Sequence, residues 1–181
     1  MKINKTFIEG LLIFEPNLFE DDRGYFMEHY NKKVFDEIIS VNFVQDNEST
    51  SVNGVIRGLH FQMPPHAQAK LIRCVDGVIL DVVVDIRKDS KTYGKYFSVQ
   101  LSSENKKQLF VPMGFAHGFQ VLSDKAIVNY KVDNFYNLES ESGIIWNDKD
   151  LSIPWKKNIK KVISKKDLEL LPFKNLKFYF S

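Results

Sequence analysis

From Val55 onward, apolar residues recur with a period close to two, broken by turn residues at Pro64-Pro65, Asp76-Gly77, residues 90–94, residues 105–107 and Pro112-Met113-Gly114. That period marks strands with one face on a core. Helical spacing is confined to residues 32–40, where Val34, Phe35, Ile38 and Ile39 follow Asn31 as N-cap, and to a short final helix that Ser164 can cap. Many short strands, few helices and no βαβ alternation predict a mainly β fold, an antiparallel sandwich or barrel with a few short peripheral helices. No repeat or linker divides the 181 residues, so residues 1–181 are expected to form one domain.

The apolar run 6–14 reads as a strand ended by Pro16. Residues 43–47 are extended, and the Ser/Thr/Asn/Gly cluster 48–54 reads as a loop. Asp76-Gly77 between alternating runs predicts a hairpin in which Val75 pairs with Val78. Lys70, Ile72 and Cys74 then share a face with Ile79, Asp81, Val83 and Asp85. A face half apolar and half charged suits the wall of a cavity, because charges buried without partners are costly.

With 25 basic and 23 acidic residues, a net charge of +2 and no charge runs, neither nucleic acid nor an anionic membrane is an expected partner. The single cysteine, Cys74, excludes an intrachain disulfide and fits a reducing compartment. No uncharged run is long enough to cross a bilayer and none resembles a secretory leader, so a cytoplasmic location is expected.

The stretch VIRGLHFQMPPHAQAKLIRCV, residues 55–75, places Arg57, His60 and Lys70 where a purely structural sheet would want none of them. Two chemistries fit. Pro112-x-Gly114-x-x-His117 resembles the second motif of the metal-binding cupins, but His60 is followed by Phe61 and Gln62 rather than by a second histidine. His66 is the remaining substitute, in an exposed Pro-Pro context, and no metal is expected. Acid/base chemistry needs less: His60 as base, one of Asp81, Asp85 or Asp167 to fix its tautomer, Lys70 and Arg57 to meet an oxyanion, and Tyr130 as acid. Arg57 and His60, three apart, would face opposite sides of a regular strand unless Gly58 marks a bulge. Arg23 and Glu28, beside a charged turn, are either an ordinary surface pair or site residues.

The ordered set Phe19-x-Asp21-x-Arg23-Gly24-x-Phe26-x-Glu28, Gln45-Asp46-Asn47, Arg57-Gly58-Leu59-His60-Phe61-Gln62, Ala67-Gln68-Ala69-Lys70-Leu71, Val84-Asp85-Ile86-Arg87, Pro112-x-Gly114-Phe115-Ala116-His117-Gly118-Phe119, Trp146-Asn147-Asp148 and Ser164-x-Lys166-Asp167 resembles the dTDP-4-dehydrorhamnose 3,5-epimerase family. The resemblance implies a metal-free, cupin-like jelly roll (double-stranded β-helix), a homodimer without organic cofactor that serves nucleotide-sugar and surface-polysaccharide biosynthesis. It implies His60 as the base, Asp167 as its supporting carboxylate, Lys70 on the enolate oxygen and Tyr130 as the acid. Arg57 and His117 would contact the ligand. Arg23, Glu28, Gln45, Asp46, Asn47, Glu141 and Lys166 match further binding positions, which turns the reading of Arg23 and Glu28 toward the site. Some relatives with the same catalytic set act at one carbon only or on sugars with other substituents, and Asp85 remains the rival partner for His60.

Overall fold

The computed structural model describes residues 1–177, 179 and 180. In chain order the strands are β1 (Lys2–Lys5), β2 (Leu12–Glu15), β3 (Phe19–Asp21), β4 (Gly24–Phe26), β5 (Gln45–Val52), β6 (Val55–Gln62) and β7 (Lys70–Asp76). They continue as β8 (Val78–Asp85), β9 (Tyr96–Ser102), β10 (Gln108–Val111), β11 (Phe115–Val121), β12 (Lys125–Val132), β13 (Glu141–Gly143) and β14 (Val162–Ile163). One sheet runs β1-β2-β10-β7-β12-β5 and the other β13-β6-β11-β8-β9, with β14 parallel to β6 and β3-β4 a separate hairpin. The two large sheets face each other as a jelly roll, the expected fold.

Alternation decides what each face meets. Ile72, Cys74, Leu109 and Val128 of the first sheet pack against Ile79, Val83, Leu101 and Phe119 of the second in the inner core. Val82 and Val84 point the other way, onto Ile144, Leu151 and Trp155 of the C-terminal segment. β8 is therefore buried on both sides, which is why it is apolar at nearly every position. The outer face of the first sheet is covered at Phe14, Leu71 and Phe110 by Phe35 and Ile39. Burying a side chain such as Phe35 contributes roughly 1.5–3 kcal/mol.

Four local expectations change. Of the run 6–14, residues 12–14 are strand, in β2, whereas residues 6–11 bend between β1 and β2, with Gly10 at φ +87° and Leu11 N–H donating to Ile8 O at 3.2 Å. The helix expected over 32–40 is α1 (Lys32–Asp36), capped where Asn31 Oδ1 accepts from Lys33 N–H at 3.1 Å; the Ile38 and Ile39 amides both turn onto Phe35 O. One and a half turns already bring Phe35 and Ile39 to the sheet, and β-branched residues add little helical preference. Residues 48–52 continue β5 as a strand, paired with β12 from Gln45↔Val132 to Val52↔Lys125. Their polar composition reflects a strand with solvent on one side and a polar cavity on the other.

Asp76-Gly77 does not close a hairpin. β7 pairs with β10 and β12, whereas β8 pairs with β11 and β9, so the Asp-Gly step carries the chain from one sheet to the other. Both edges of β7 are occupied by longer-range partners, which leaves none for β8. Lys70, Ile72 and Cys74 nonetheless look toward Ile79, Asp81 and Val83, across the sandwich rather than along a ladder.

Gly58 does mark a bulge. His117 pairs with His60 and Phe119 with Arg57, three steps on β6 against two on β11. Gly58 sits at φ +117°, and a Cβ there would meet Gly118 Cα at 2.6 Å and His117 O at 2.7 Å. Both side chains thereby reach the same side. Gly58→Ala is expected to cost about 2–6 kcal/mol, backbone strain and overpacking together, measured by denaturant unfolding; an unchanged unfolding midpoint would contradict this.

Candidate active site

The sandwich is open at one end, where a cavity of ≈ 520 Å³ is lined by Arg57, His60 and His117 from one sheet and Lys70 and Tyr130 from the other. A smaller recess shares His60, Lys70, Tyr130 and Glu141 and adds Gln45, Asn47 and Tyr136. Base candidate and acid candidate thus stand on opposing walls. Lys70 lies beside the Tyr130 strand, paired with Val132.

His60 Nε2 lies 2.7 Å from Asp167 Oδ1. Asp167 Oδ2 accepts from the Gly58 N–H at 3.2 Å, so one carboxylate engages both the histidine and the bulge that orients it. Asp167 sits in α2 (Lys165–Leu168), whose N-cap Ser164 Oγ accepts from the Asp167 N–H at 3.0 Å. Burial pushes the Asp167 carboxyl up, but hydrogen bonds from His60 and Gly58 outweigh it and leave the group below its ordinary value. It is an anion at neutral pH.

A second histidine pair faces the first across the β6–β11 register. His117 Nε2 lies 2.8 and 3.0 Å from the two oxygens of Asp81, which is fully buried. Burial raises the Asp81 pKa against the opposing pull of His117 and Lys70. Burial lowers Lys70 to about 8, against the pull of Asp81 and Glu141. The ammonium is thus partly desolvated and still mostly charged at neutral pH. Asp85 is spent elsewhere: it accepts from Arg87 Nε and Nη2 at 2.9 and 2.8 Å and from Ser90 and Thr92 hydroxyls at 2.6 Å, anchoring the turn after β8. Of the three carboxylates open to His60, Asp167 is the one that meets it.

Burial raises the Tyr130 phenol above its usual value, with Arg57 opposing and Glu141 reinforcing the shift. The hydroxyl keeps its proton at neutral pH. Glu141 accepts from Tyr136 Oη at 2.7 Å and pairs with Lys166, contacts that outweigh burial and hold its carboxyl low. Arg57 Nε donates to Ser51 Oγ at 3.0 Å and Nη2 to Thr50 O at 3.4 Å, which ties the guanidinium to β5 at the cavity wall. Gln45 Nε2 donates to Asn47 Oδ1 at 2.8 Å on the cavity side of β5.

Three expected site residues are not brought to this cavity. Asp46 points outward and pairs with Lys131 at 2.9 Å. Arg23, with its side chain 89% exposed, pairs with Asp21 at 2.6 Å on the β3-β4 hairpin, and Glu28 is exposed beyond it. Other residues escaped sequence reading. Ser49 lines the cavity with a buried hydroxyl that has no partner among the described residues, and Tyr136 holds Glu141. Only the period-two register of β5, read as a strand, would have found Ser49. Gln62, which stands where a cupin has its second histidine, donates to His66 O and Phe135 O and accepts from the Asn137 N–H. His66 turns Nδ1 to Ser140 Oγ at 2.8 Å.

A histidine–carboxylate base, a phenol on the facing wall and a cation between them can remove a proton beside a carbonyl and return one from the other side. A family model described as dTDP-4-dehydrorhamnose 3,5-epimerase matches residues 5–175. The chain is 57% identical over 157 residues to the dTDP-4-dehydrorhamnose 3,5-epimerase of Shigella flexneri, spanning 86% of this chain and 87% of that protein. It superposes with TM-score 0.92 and 52% identity on the crystal structure of dTDP-4-dehydrorhamnose 3,5-epimerase from Elizabethkingia anophelis NUHP1, covering 99% of each. The Legionella pneumophila Philadelphia 1 dTDP-6-deoxy-D-glucose-3,5-epimerase, in complex with dTDP-4-keto-L-rhamnose, superposes with TM-score 0.94 at 42% identity, over 97% of this chain and 94% of that one. The chain belongs to the dTDP-4-dehydrorhamnose 3,5-epimerase family, a family of isomerases.

Proposed function

We propose that this single-domain chain, in the cytoplasm and without an organic cofactor, epimerises carbons 3 and 5 of dTDP-4-dehydro-6-deoxy-D-glucose to give dTDP-4-dehydro-L-rhamnose. The observation that carries this reading is the His60–Asp167 pair facing Tyr130 across a cavity that also holds Lys70. A proton beside the 4-keto group is acidified by the carbonyl. His60 takes it on Nδ1, the ring nitrogen that Asp167 leaves free, and anionic Asp167, which accepts from Nε2–H, stabilises the imidazolium that results. The electrons move to the carbonyl oxygen, whose negative charge the Lys70 ammonium meets in a partly desolvated site. Tyr130 gives a proton to the same carbon from the opposite wall, which inverts it. Once His60 has released its proton to solvent and Tyr130 has taken one back, the sequence repeats at the second carbon on the other flank of the ketone.

Arg57 and Lys166 lie at the mouth with charge suited to a diphosphate, and His117, Gln45, Asn47 and Glu141 add polar contacts to the ligand. Arg23, Glu28 and Asp46 belong to the same binding set and lie outside the cavity of their own chain. A homodimer reconciles the two, with the β3-β4 hairpin of one copy reaching the cavity of the other.

In deuterated water, proton NMR of the substrate is expected to show solvent deuterium at both carbon 3 and carbon 5. Exchange at one carbon would identify a mono-epimerase, and binding without exchange a non-catalytic nucleotide-sugar module. His60→Ala is expected to lower turnover by about 10²–10⁴-fold while ligand still binds.

Lys70 is charged below about 8 and neutral above it, and only the ammonium can hold the enolate oxygen. kcat/KM is therefore expected to fall as pH rises through about 8, toward tenfold per unit, with Tyr130 ionising only at higher pH. Lys70→Met is expected to be slow throughout and to lack that limb; an unmoved limb would assign it to another group.

Mixing two inactive variants, Arg23→Ala and His60→Ala, is expected to restore activity if subunits exchange, because one site in each mixed dimer then carries neither substitution. No recovery in a mixture shown to exchange subunits would place Arg23 outside its neighbour's site.

A further inference from the structure

We infer that Asp148 is a positioning residue, whose carboxylate fixes the stretch of backbone from which Asp167 reaches His60. The inference rests on the role proposed above for the His60–Asp167 pair.

Asp148 closes the Trp146-Asn147-Asp148 motif, is 5% exposed and does not line the cavity. Its carboxylate accepts three backbone hydrogen bonds. Oδ1 takes the Asp150 and Leu151 N–H groups, both at 2.9 Å, which shapes the local turn. Oδ2 takes the Phe173 N–H at 2.7 Å, in the segment that follows α2. Charge-assisted bonds of this kind are roughly twice as strong as neutral ones. A carboxylate that only shaped its own turn would have no need of the distant amide.

The same segment is wedged between the two halves of the catalytic pair. On one side, Leu59, the neighbour of His60, exchanges backbone bonds with Ile144 at 3.1 and 2.9 Å. On the other, the Ile145 N–H donates to Leu171 O at 3.0 Å, four residues beyond Asp167. Gly143 permits this close approach: a Cβ there would meet Leu59 O at 2.4 Å and Leu170 Cδ1 at 2.9 Å. Residues 143–148 thus set the spacing between the strand that carries His60 and the chain that carries Asp167. α2 cannot set it alone, because one helical turn has little stability of its own. Before Asp167 the chain is registered by Ile163 against Ile56; after it, by Leu171 and by the Asp148–Phe173 bond.

Asp148→Asn keeps the shape but loses the charge and one acceptor oxygen, so the turn and the Phe173 amide compete for what remains. Displacements of about 1 Å at a catalytic group can cost on the order of 10²-fold in rate. The expected result is a kcat lower by about 10- to 100-fold with KM changed less than about twofold. The deciding measurement is a cycle with Asp167→Asn. If Asp148 acts through Asp167, the loss shrinks to a factor near one in the Asp167→Asn background. An equal loss in both backgrounds, or no loss in either, overturns the inference. Wild-type turnover in Asp167→Asn alone would overturn the reading of Asp167 and the inference with it.

Should Asp148→Asn fold poorly, Phe173→Pro and Phe173→Ala replace it. Both lack the ring and only the proline lacks the N–H; Pro172 at ψ 150° tolerates a following proline, and a 3₁₀ turn begins at Phe173. The proline variant is expected to turn over about tenfold more slowly than the alanine variant. Equal rates overturn the inference.

Discussion

A charge taken out of water must find a partner, and the interior of this sandwich holds several. Asp81, Asp167 and His117 are buried and Lys70 is half-buried, beside an inner core of apolar residues such as Ile72, Val83 and Phe119. Left unpaired, each would cost several kcal/mol. Asp81 pairs with His117 between the neighbouring strands β8 and β11 of one sheet, and Asp167 with His60 between α2 and β6. Lys70 faces Asp81 from the opposing sheet. The cavity and the architecture therefore depend on each other, since the sheets must face each other for Lys70 to meet Asp81 and the C-terminal segment must dock for Asp167 to meet His60.

The same pairing separates the chemical roles of like residues. His60 is partly exposed at the cavity and its carboxylate is held anionic by His60 and by the Gly58 amide. His117 is nearly buried, locked by both oxygens of a carboxylate whose pKa burial raises. One histidine keeps an edge open to the cavity and the other presents a fixed ring. Environment, and not residue type, makes the distinction.

Covering the second sheet with residues 144–177, 179 and 180 serves the site as well as the core. Trp155 and Leu151 bury the outer faces of β8 and β11, while the same stretch delivers Lys166 and Asp167 to the mouth. The Trp155 indole N–H donates to Trp146 O at 2.6 Å, and Gln120 accepts from the Lys156 N–H at 2.8 Å. A segment with little regular structure is thus held by side chains that bond its backbone, the usual route when no ladder is available.

What the chain makes legible without coordinates is local. Arg57, His60 and Lys70 stood out because they break an apolar alternation, and Gly58 announced the bulge that lets Arg57 and His60 face one way. Asn31 and Ser164 marked the two helix starts by their own hydrogen-bonding chemistry. The period-two pattern pointed to an antiparallel sandwich or barrel and to which residues of β7 and β8 look inward. Tertiary structure decided the rest, because it depends on competition between distant partners. Asp76-Gly77 satisfies the local geometry of a hairpin, yet β12 and β10 take both edges of β7. The polar run 48–52 is a strand because β12 supplies its backbone partners. Asp81, Asp85 and Asp167 are chemically equivalent in the chain, and only the fold sends one to His117, one to Arg87 and one to His60. Residue chemistry can nominate such groups; distance, set by the packing of segments 107 residues apart, selects among them.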